Sequence, residues 1–331
     1  MAKLRAGLIG LGMMGRHHAR VLGSLDDVDL VAVADPAGDP HGIAGDRPLL
    51  GSVEDLIATG LDYCMVAVPT VYHEPVGLAL AAAGVHAMIE KPLAPDVESA
   101  THLAETFEKR GLVGAVGHIE RYNPALQSLR HRLEAGELGA IYQIVTRRQG
   151  PFPARIADVG VVKDLATHDI DLTAWVTQQP FTSVMARTAH KSGREFEDLV
   201  SITGQLADGT VTSHLVNWLS PMKERLTVVT GEKGTFVADT LTADLTFYAN
   251  GTIDTEWDAI AKFRGVSEGD VIRYAIAKPE PLRTEHEAFR DAVLGLEGAS
   301  ARIVTMRQGL ATVAVAEAAI RSAREGVVVT F

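Results

Sequence analysis

The first third of the chain alternates short apolar runs with helical patterns. The apolar runs are typical of buried strands, and they lie at Arg5–Ile9, Leu30–Ala34, Tyr63–Val68, His86–Ile89 and Leu112–Gly117. The helical patterns between them cover Met14–Leu25, Ser52–Thr59, Pro75–Ala83 and Asp96–Lys109. Continuous apolar strands separated by helices indicate a parallel sheet that is covered on both faces. Residues 1–118 are therefore predicted to form a doubly wound α/β domain of the Rossmann type.

The segment after Asp35 departs from this rhythm. The run Pro36–Gly42 contains two prolines and two glycines and is typical of a loop. Little room is left for a helix before Ser52. The second crossover of the sheet is therefore predicted to be short.

After about Gly117 the pattern changes to helices followed by successive strands. Helices are predicted at Asn123–Ala135 and Asp164–Val176, and later at Glu285–Leu294 and Val304–Arg324. The strand candidates are separated by turn signals such as Asp208-Gly209, and they are Ile141–Arg148, Ser183–Thr188, Leu199–Leu206, Thr210–Trp218, Arg225–Thr230, Thr235–Ala238 and Leu245–Tyr248. Residues 119–331 are therefore predicted to form an α+β domain with a large, mostly antiparallel open sheet.

Composition and charge limit the classes of partner. A chain of 331 residues fits two domains, and its formal net charge of −11 argues against nucleic-acid binding, which needs a basic face. The only cysteine is Cys64, within an apolar run, so we expect a buried thiol and no internal disulfide. No apolar stretch reaches the roughly 18 residues that span a bilayer, and the start of the chain leaves no room for a signal peptide. These features predict a cytoplasmic protein without a membrane partner.

A glycine-rich turn follows the first strand and opens the first helix. In Gly10–Gly15 the first glycine permits a tight turn, the second lets the backbone approach a pyrophosphate, and the third lets the helix pack on the strand. The pyrophosphate would lie at the positive end of the helix dipole. The candidate cofactor contacts in this turn are Gly10, Gly12, Met13, Met14 and Gly15. The alternative is a turn that binds nothing.

Asp35 ends the second strand, 20 residues beyond Gly15. A carboxylate at this distance can accept hydrogen bonds from the hydroxyls of the adenine ribose. It also repels a 2′-phosphate, and the next residues, Pro36 and Ala37, bring no cation. The predicted cofactor is therefore NAD.

Two further strand ends carry candidate residues, because open α/β sheets bind ligands at the carboxyl ends of their strands. Val68, Pro69 and Thr70 end one strand, and His73 begins the following helix. Glu90 and Lys91 end the next strand. A lysine beside a nicotinamide can polarise a carbonyl group or help to move a proton. The alternatives are an uninvolved histidine at a helix start and a surface lysine.

The second domain has its own chemical signal in an acid–histidine pattern. Asp164 and His168 are four residues apart and share a face on a helix, and Asp171 follows three residues later. A carboxylate that orients an imidazole raises its basicity. A metal site and a solvated helix face are alternatives. No further ligand cluster is evident, so no metal is predicted.

Together, Gly10–Gly15, Glu90-Lys91-Pro92 and the Asp164…His168 pair resemble the Gfo/Idh/MocA oxidoreductases, relatives of glucose–fructose oxidoreductase and inositol dehydrogenase. The resemblance covers essentially the whole chain. It implies that Lys91, Asp164 and His168 are the catalytic residues. The short second crossover departs from the family's usual length and leaves the packing of the adenine open.

Three more segments are similar to the branch of this family that includes UDP-N-acetylglucosamine 3-dehydrogenases: Gly117–Pro124, Arg147–Pro153 and Asn217–Pro221. An arginine fork suits phosphate or sugar hydroxyls, but it can equally pair with the protein's own carboxylates. The candidate substrate contacts are Arg121, Tyr122, Asn123, Arg148, Lys163, Asp164 and His168.

The resemblance implies an NAD-dependent dehydrogenase that oxidises a secondary sugar hydroxyl, at C3 of a UDP-linked N-acetylhexosamine. The alternatives are an inositol or free-sugar dehydrogenase or ketoreductase and, from another class, a non-catalytic NAD-binding sensor. The predicted partners are a sugar or nucleotide-sugar substrate and further copies of the chain. The second domain needs a cover for one sheet face, which predicts a homodimer or homotetramer.

Overall fold

The computed structural model describes residues 3–153, 159–251 and 268–331. Contacts divide the chain into two compact units. The first comprises residues 1–119 and 280–317, and the second comprises residues 120–279 and 318–331. The sequence assigned all of residues 119–331 to the second domain, whereas residues 280–317 return to the first unit. Local patterns along the chain do not encode such a return, because it depends on packing between distant segments.

The first unit contains a six-stranded sheet in the order β3-β2-β1-β4-β5-β6, with every pair of neighbours parallel. Its strands are β1 Leu4–Ile9, β2 Val28–Ala34, β3 Leu49–Leu50, β4 Tyr63–Val66, β5 His86–Glu90 and β6 Gly114–Gly117. From β1 the chain first adds β2 and β3 on one side and then β4, β5 and β6 on the other side, as in doubly wound sheets. The predicted Rossmann architecture is confirmed.

The helices of this unit include α1 Met13–Leu22, α2 Val53–Ala58, α3 His73–Ala82, α4 Val97–Lys109 and α7 Pro281–Val293, together with the first part of α8 Met306–Glu325. Strands β4 and β5 are buried almost throughout, which explains their continuous apolar sequence. Cys64 lies on β4 and is fully buried, as predicted. The main core of this unit includes Leu80, Ile89 and Phe107 from the sheet and its helices.

The crossover between β2 and β3 is short, as the sequence indicated. Residues 35–48 contain no helix, and the two-residue strand β3 was not predicted. Asp39 holds part of this loop, since its carboxylate accepts hydrogen bonds from the backbone amides of His41 and Ala44. Ser52 then caps α2, whose first turn carries the carboxylates of Glu54 and Asp55.

The second unit contains a nine-stranded sheet in the order β14-β13-β12-β11-β7-β10-β9-β8-β15. Its strands are β7 Ile141–Pro151, β8 Phe181–Ala189, β9 Leu199–Leu206, β10 Val211–Asn217, β11 Leu219–Gly231, β12 Gly234–Asp239, β13 Asp244–Asn250, β14 Glu268–Arg273 and β15 Val329–Thr330. The pairing of β7 with β10 is parallel and the other pairings are antiparallel. The predicted mostly antiparallel sheet is confirmed.

Helices α5 Pro124–Glu134 and α6 Thr167–Thr177 cover one face of this sheet. Leu126 and Leu129 of α5 and Leu172 and Val176 of α6 pack with sheet residues such as Phe236 in one core. The sequence placed the start of α6 at Asp164, but residues Val162–Ala166 form a π-type turn before it. Among the described helices of the chain, none is long and apolar enough to cross a membrane.

Candidate active site

The glycine turn between β1 and α1 needs its glycines for two different reasons. Gly10 has φ +94°, and a Cβ there would lie 2.5 Å from the backbone of Ala67. A Cβ on Gly15 would lie 2.0 Å from the carbonyl oxygen of Gly10. Both positions therefore exclude side chains because the turn, the helix and the neighbouring strand end approach closely.

Gly12 differs, since a Cβ there would meet no described protein atom within 4 Å. It precedes the first residue of α1, where the backbone amides of a helix have no internal partners. Gly12, as the N-cap residue, has no side chain with which to cap these amides. An open approach to free helix amides is the arrangement that accepts a pyrophosphate, so the turn fits a dinucleotide.

Asp35 joins the turn to the end of β2. One carboxylate oxygen accepts from the amide of Leu11 at 2.8 Å, and the other accepts from the amide of Ala37 at 2.8 Å. Each oxygen retains a further lone pair that can accept a ribose hydroxyl. The structure thus brings Asp35 against the glycine turn, as the spacing suggested, and also gives it a role in holding the loop.

The register of the sheet sets the glycine turn beside the other candidate strand ends. Ile9 pairs with Val66, and Val66 pairs with Ile89, so Gly10, Ala67 and Glu90 lie at one level of the sheet. Two strand spacings separate Gly10 from Glu90, which is about 10 Å. Lys91 therefore lies at the same edge as the dinucleotide turn.

After β4, Val68 and Thr70 are half-buried and Pro69 is exposed. His73 behaves differently from the expected cofactor contact, because it is 1% exposed. Its Nδ1 lies 2.9 Å from the carbonyl oxygen of Pro92, and its Nε2 lies 3.0 Å from that of Val68. Burial lowers the pKa of His73. Its ring bridges the segments that follow β4 and β5 and presents almost no surface to a ligand.

Glu90 is buried at the end of β5 and holds the residue that follows it. Its Oε2 accepts from the backbone amide of Lys91 at 3.0 Å, and its Oε1 lies 2.8 Å from Nε2 of His18. Burial alone would raise the pKa of Glu90, but the hydrogen bond and charge of His18, assisted by Lys91, bring it below its ordinary value. Glu90 is thus an ionised acceptor within the protein, while the Lys91 side chain is half-buried.

In the second unit, the acid–histidine pattern lies on two kinds of helical turn. Lys163 and Asp164 belong to the π-type turn Val162–Ala166, and His168 is the second residue of α6. Asp164 is buried, whereas Lys163 and His168 are half-buried. Turns of the π type are rare in proteins, and those that occur are frequently found at functional sites. Nothing in the sequence predicted this turn, since Asp164 and His168 have the spacing of an ordinary α-helix.

The two arginines predicted to contact substrate are paired with carboxylates of the chain. Arg121 contacts Asp171 through Nε at 2.8 Å and Nη2 at 2.6 Å. Arg148 contacts Asp169 through Nε and Glu120 through Nη1, each at 2.8 Å. Both guanidinium groups are buried. This is the alternative that the sequence left open, in which both guanidinium groups pair with the protein's own carboxylates.

Burial and pairing act against each other within the Arg148 cluster. Burial raises the pKa of the carboxyl groups of Glu120 and Asp169, whereas the positive charge and hydrogen bonds of Arg148 lower both pKa values. The pKa of Glu120 ends below its ordinary value, whereas that of Asp169 stays above it. Burial and the nearby charge of Arg148 also lower the pKa of Arg225. The cluster is therefore a coupled ionic network inside the second unit.

The two residues after Arg121 are also largely internal. Tyr122 is buried. The side chain of Asn123 caps α5, accepting from the amide of Ala125 and donating to the carbonyl oxygen of Thr240, each at 3.0 Å. Asn123 thus has a structural function that its position before Pro124 could have indicated.

Within the described ranges, no group of three or more histidine, cysteine or acidic residues has the arrangement of a metal site. Several internal polar residues were not predicted from the sequence: His18, Asp169 and His286, which are buried, and Glu120, which is half-buried. Their partners lie far away in the chain, for example 268 residues for the contact of His18 with His286. Spacing along the sequence carries no signal for such pairs.

The fold and the glycine turn define a dinucleotide-binding protein with a second, α+β domain. Comparison with family models gives the same result. The model of the oxidoreductase family with an NAD-binding Rossmann fold matches residues 4–118, and the Gfo/Idh/MocA C-terminal domain matches residues 126–237. Together they cover more than half of the chain. The chain belongs to the Gfo/Idh/MocA oxidoreductase family, and its first unit is an NAD-binding domain.

Among curated proteins, the chain is similar to UDP-N-acetylglucosamine 3-dehydrogenase of Acidithiobacillus ferrooxidans, with 37% identity over 54% of this chain and 55% of the relative. It is 32% identical to inositol 2-dehydrogenase 4 of Saccharopolyspora erythraea, over 56% of this chain and 57% of the relative. These matches span little more than half the length of the relatives.

Solved structures match over nearly the whole chain. The UDP-N-acetylglucosamine 3-dehydrogenase of A. ferrooxidans superposes with a TM-score of 0.83 and 27% identity, covering 98% of this chain and 99% of that one. The WlbA dehydrogenase of Bordetella pertussis, solved with NADH and UDP-GlcNAcA, gives 0.79 and 25% identity, covering 99% of both chains.

Proposed function

We propose that the chain is an NAD-dependent dehydrogenase that oxidises a secondary sugar hydroxyl to a ketone, at C3 of a UDP-linked N-acetylhexosamine. The observation that carries the proposal is the register of the first sheet, which sets Glu90 level with Gly10. Lys91 therefore follows at the edge that holds the dinucleotide turn. When bound, NAD supplies the hydride acceptor for the carbinol carbon.

The residues of the chain have two tasks in this reaction. His168 takes the hydroxyl proton as general base, and Asp164 orients its ring. Lys91 donates a hydrogen bond to the reacting oxygen as it becomes a carbonyl oxygen. The buried Asp164 and the half-buried His168, in the first turn of α6, suit a base with restricted access to water.

The nucleotide-sugar substrate is supported by the relatives. One similar dehydrogenase is named for UDP-N-acetylglucosamine, and a similar structure was solved with UDP-GlcNAcA. The second candidate is a cyclic polyol, because an inositol 2-dehydrogenase is 32% identical over a comparable share of the chain. Both substrates present a secondary hydroxyl on a six-membered ring, and the proposed roles of Lys91 and His168 are the same for both.

The first test measures NADH formation with NAD and UDP-N-acetylglucosamine, beside myo-inositol and glucose. We expect NADH with the nucleotide sugar alone. Formation with myo-inositol alone would move the substrate to a free polyol and retain the reaction. NADH binding without turnover on any of these substrates or a broader panel of sugars would contradict the dehydrogenase and favour an NAD-binding sensor.

The second test removes the two proposed catalytic side chains. Lys91→Ala and His168→Ala are each expected to lower kcat by about 10²- to 10⁴-fold, because each removes a group that acts on the reacting proton or oxygen. NADH affinity should change little. The controls are the exposed residues Lys109 and His131, whose alanine variants should keep normal turnover. Normal turnover in Lys91→Ala would overturn the scheme.

A further inference from the structure

A chain of three buried polar residues lies behind the strand end that carries Lys91. Nε2 of His18, on α1, is 2.8 Å from Oε1 of Glu90. Nδ1 of His18 is 2.8 Å from Nε2 of His286, on α7. The two imidazole rings meet edge to face, with centroids 5.1 Å apart. His18 and His286 are essentially inaccessible, and Glu90 is 9% exposed.

The chemistry of these groups restricts which nitrogen atoms carry protons. An ionised carboxylate can only accept, so the contact with Glu90 requires a proton on Nε2 of His18. The contact between the rings requires one more proton, on either of the two nitrogens. Both nitrogens of His18 are then committed, and turning its ring or withdrawing His286 breaks a contact. Burial keeps the pKa of His286 well below its ordinary value, so this end of the chain of contacts stays neutral.

Glu90 transmits this restraint to Lys91. Its second oxygen, Oε2, accepts from the Lys91 amide at 3.0 Å. On the other side, Gly117 of β6 approaches so closely that a Cβ there would lie 3.3 Å from Cα of Glu90. The Glu90 carboxylate is therefore restrained by His18, by the backbone amide of Lys91 and by the neighbouring strand β6.

We propose that His18 and His286 are positioning residues for Lys91, acting through Glu90. The inference rests on the proposed function, in which Lys91 contacts the reacting oxygen. The three segments involved are α1, which begins at the glycine turn, the end of β5, and α7 from the returning part of the chain. The contacts tie the lysine to the helix that begins at the cofactor turn.

If His18, Glu90 and His286 served only to fill the core, apolar side chains would stabilise it at a lower desolvation cost. Burying a carboxylate and two imidazoles carries a desolvation cost that replacement by apolar residues of the same volume avoids. The polar contacts instead provide orientation. A displacement of about 1 Å at a reacting group can lower the rate about 100-fold, so the orientation of Lys91 affects the rate of the reaction.

The test compares His286→Leu with His286→Gln in the full-length protein. Leucine removes the nitrogen that contacts His18, whereas the glutamine amide can reach a similar point. For His286→Leu we expect kcat with UDP-N-acetylglucosamine to fall about 10- to 100-fold, with KM and NADH affinity within about twofold. His286→Gln should recover much of kcat. The control is Phe289→Leu on the same helix, which loses packing against Tyr63 but should keep its turnover.

A second readout does not depend on the substrate. Hydrogen–deuterium exchange of the peptide containing Lys91 should be faster in His286→Leu than in Phe289→Leu or His286→Gln, because the restraint on its amide is released. Unchanged exchange, or equal losses of kcat in His286→Leu and Phe289→Leu, would overturn the inference. Normal turnover in Lys91→Ala would instead overturn the proposed function, and the exchange result would still decide whether the histidines hold the Lys91 backbone. If His286→Leu does not fold, His286→Gln and His286→Asn provide the same comparison, since asparagine is too short to reach His18.

Discussion

At the scale of single residues, the glycines of the dinucleotide turn separate two requirements that the motif combines. Gly15 is needed by the protein itself, because a Cβ would meet the carbonyl oxygen of Gly10 at 2.0 Å. Gly12 has φ −73° and ψ −162°, which any residue adopts, and no described protein atom lies near its missing Cβ. The space at Gly12 is therefore of use to a ligand rather than to the fold.

This difference predicts that two alanine variants both weaken NADH binding but differ in their effect on stability. Gly15→Ala should lower the free energy of unfolding by about 1–3 kcal/mol, since the turn must shift to admit the methyl group, and should also weaken NADH binding. Gly12→Ala should keep the thermal midpoint and still weaken NADH binding about tenfold or more, a loss of about 1.4 kcal/mol, because its methyl group obstructs the pyrophosphate. Calorimetry and NADH fluorescence titration measure the two effects. Unchanged NADH affinity in Gly12→Ala would contradict the assignment of this space to the cofactor.

At the scale of elements, two buried ion pairs hold helix α6 in place. Their carboxylates lie within the three residues after His168. Asp169 pairs with Arg148 of β7, and Asp171 pairs with Arg121 of the short helical turn Ile119–Tyr122. Arg148 also reaches Glu120 in that same turn. These contacts fix the start of α6 against the sheet, and so they orient the helix that carries the proposed base.

The matched pair Arg148→Met and Arg147→Met tests this structural function. Arg148 is 4% exposed, so its loss removes the cation that contacts the buried Asp169 and the half-buried Glu120, and it should lower the free energy of unfolding by about 3–5 kcal/mol. The side chain of Arg147 is half-exposed and pairs with Glu224, so its loss should cost about 0–1 kcal/mol. Urea unfolding measures both values. A normal unfolding midpoint with a raised KM in Arg148→Met would instead restore this arginine as a substrate contact.

The same helix shows where prediction from sequence succeeds and where it ends. The sequence predicted a helix over Asp164–Val176, because the 3.6-residue period of apolar positions is a local property, and Leu172 and Val176 of that helix face the core. The glycine turn and Asp35 were also predictable, since the chemistry depends on a short, fixed spacing. The π-type turn at Val162–Ala166 and the pairing of Arg148 with Asp169 depend on tertiary packing, and nothing in the spacing indicated them.

At the scale of the whole molecule, the outer face of the nine-stranded sheet bears an apolar row. By register, Val145 of β7 lies beside Val228 of β11, and Val228 lies beside Val237 of β12. Their neighbours along each strand, including Ile144 and Phe236, point into the core under α5 and α6. Because side chains alternate across a strand, the three valines point away from that core, and each is only half-buried in the single chain.

A half-buried valine row on a wide sheet is a surface that a second copy of the chain can cover, as the sequence predicted. We therefore expect light scattering to give two or four times the mass of one chain. Val228→Arg should reduce this to the mass of a single chain, because it places a charge at the centre of the row where an isologous contact would bury it twice. Glu54→Arg adds the same side chain on exposed helix α2 and should leave the mass unchanged. A monomer in the unmodified protein would contradict the prediction, and an oligomer unaffected by Val228→Arg would place the contact on another surface.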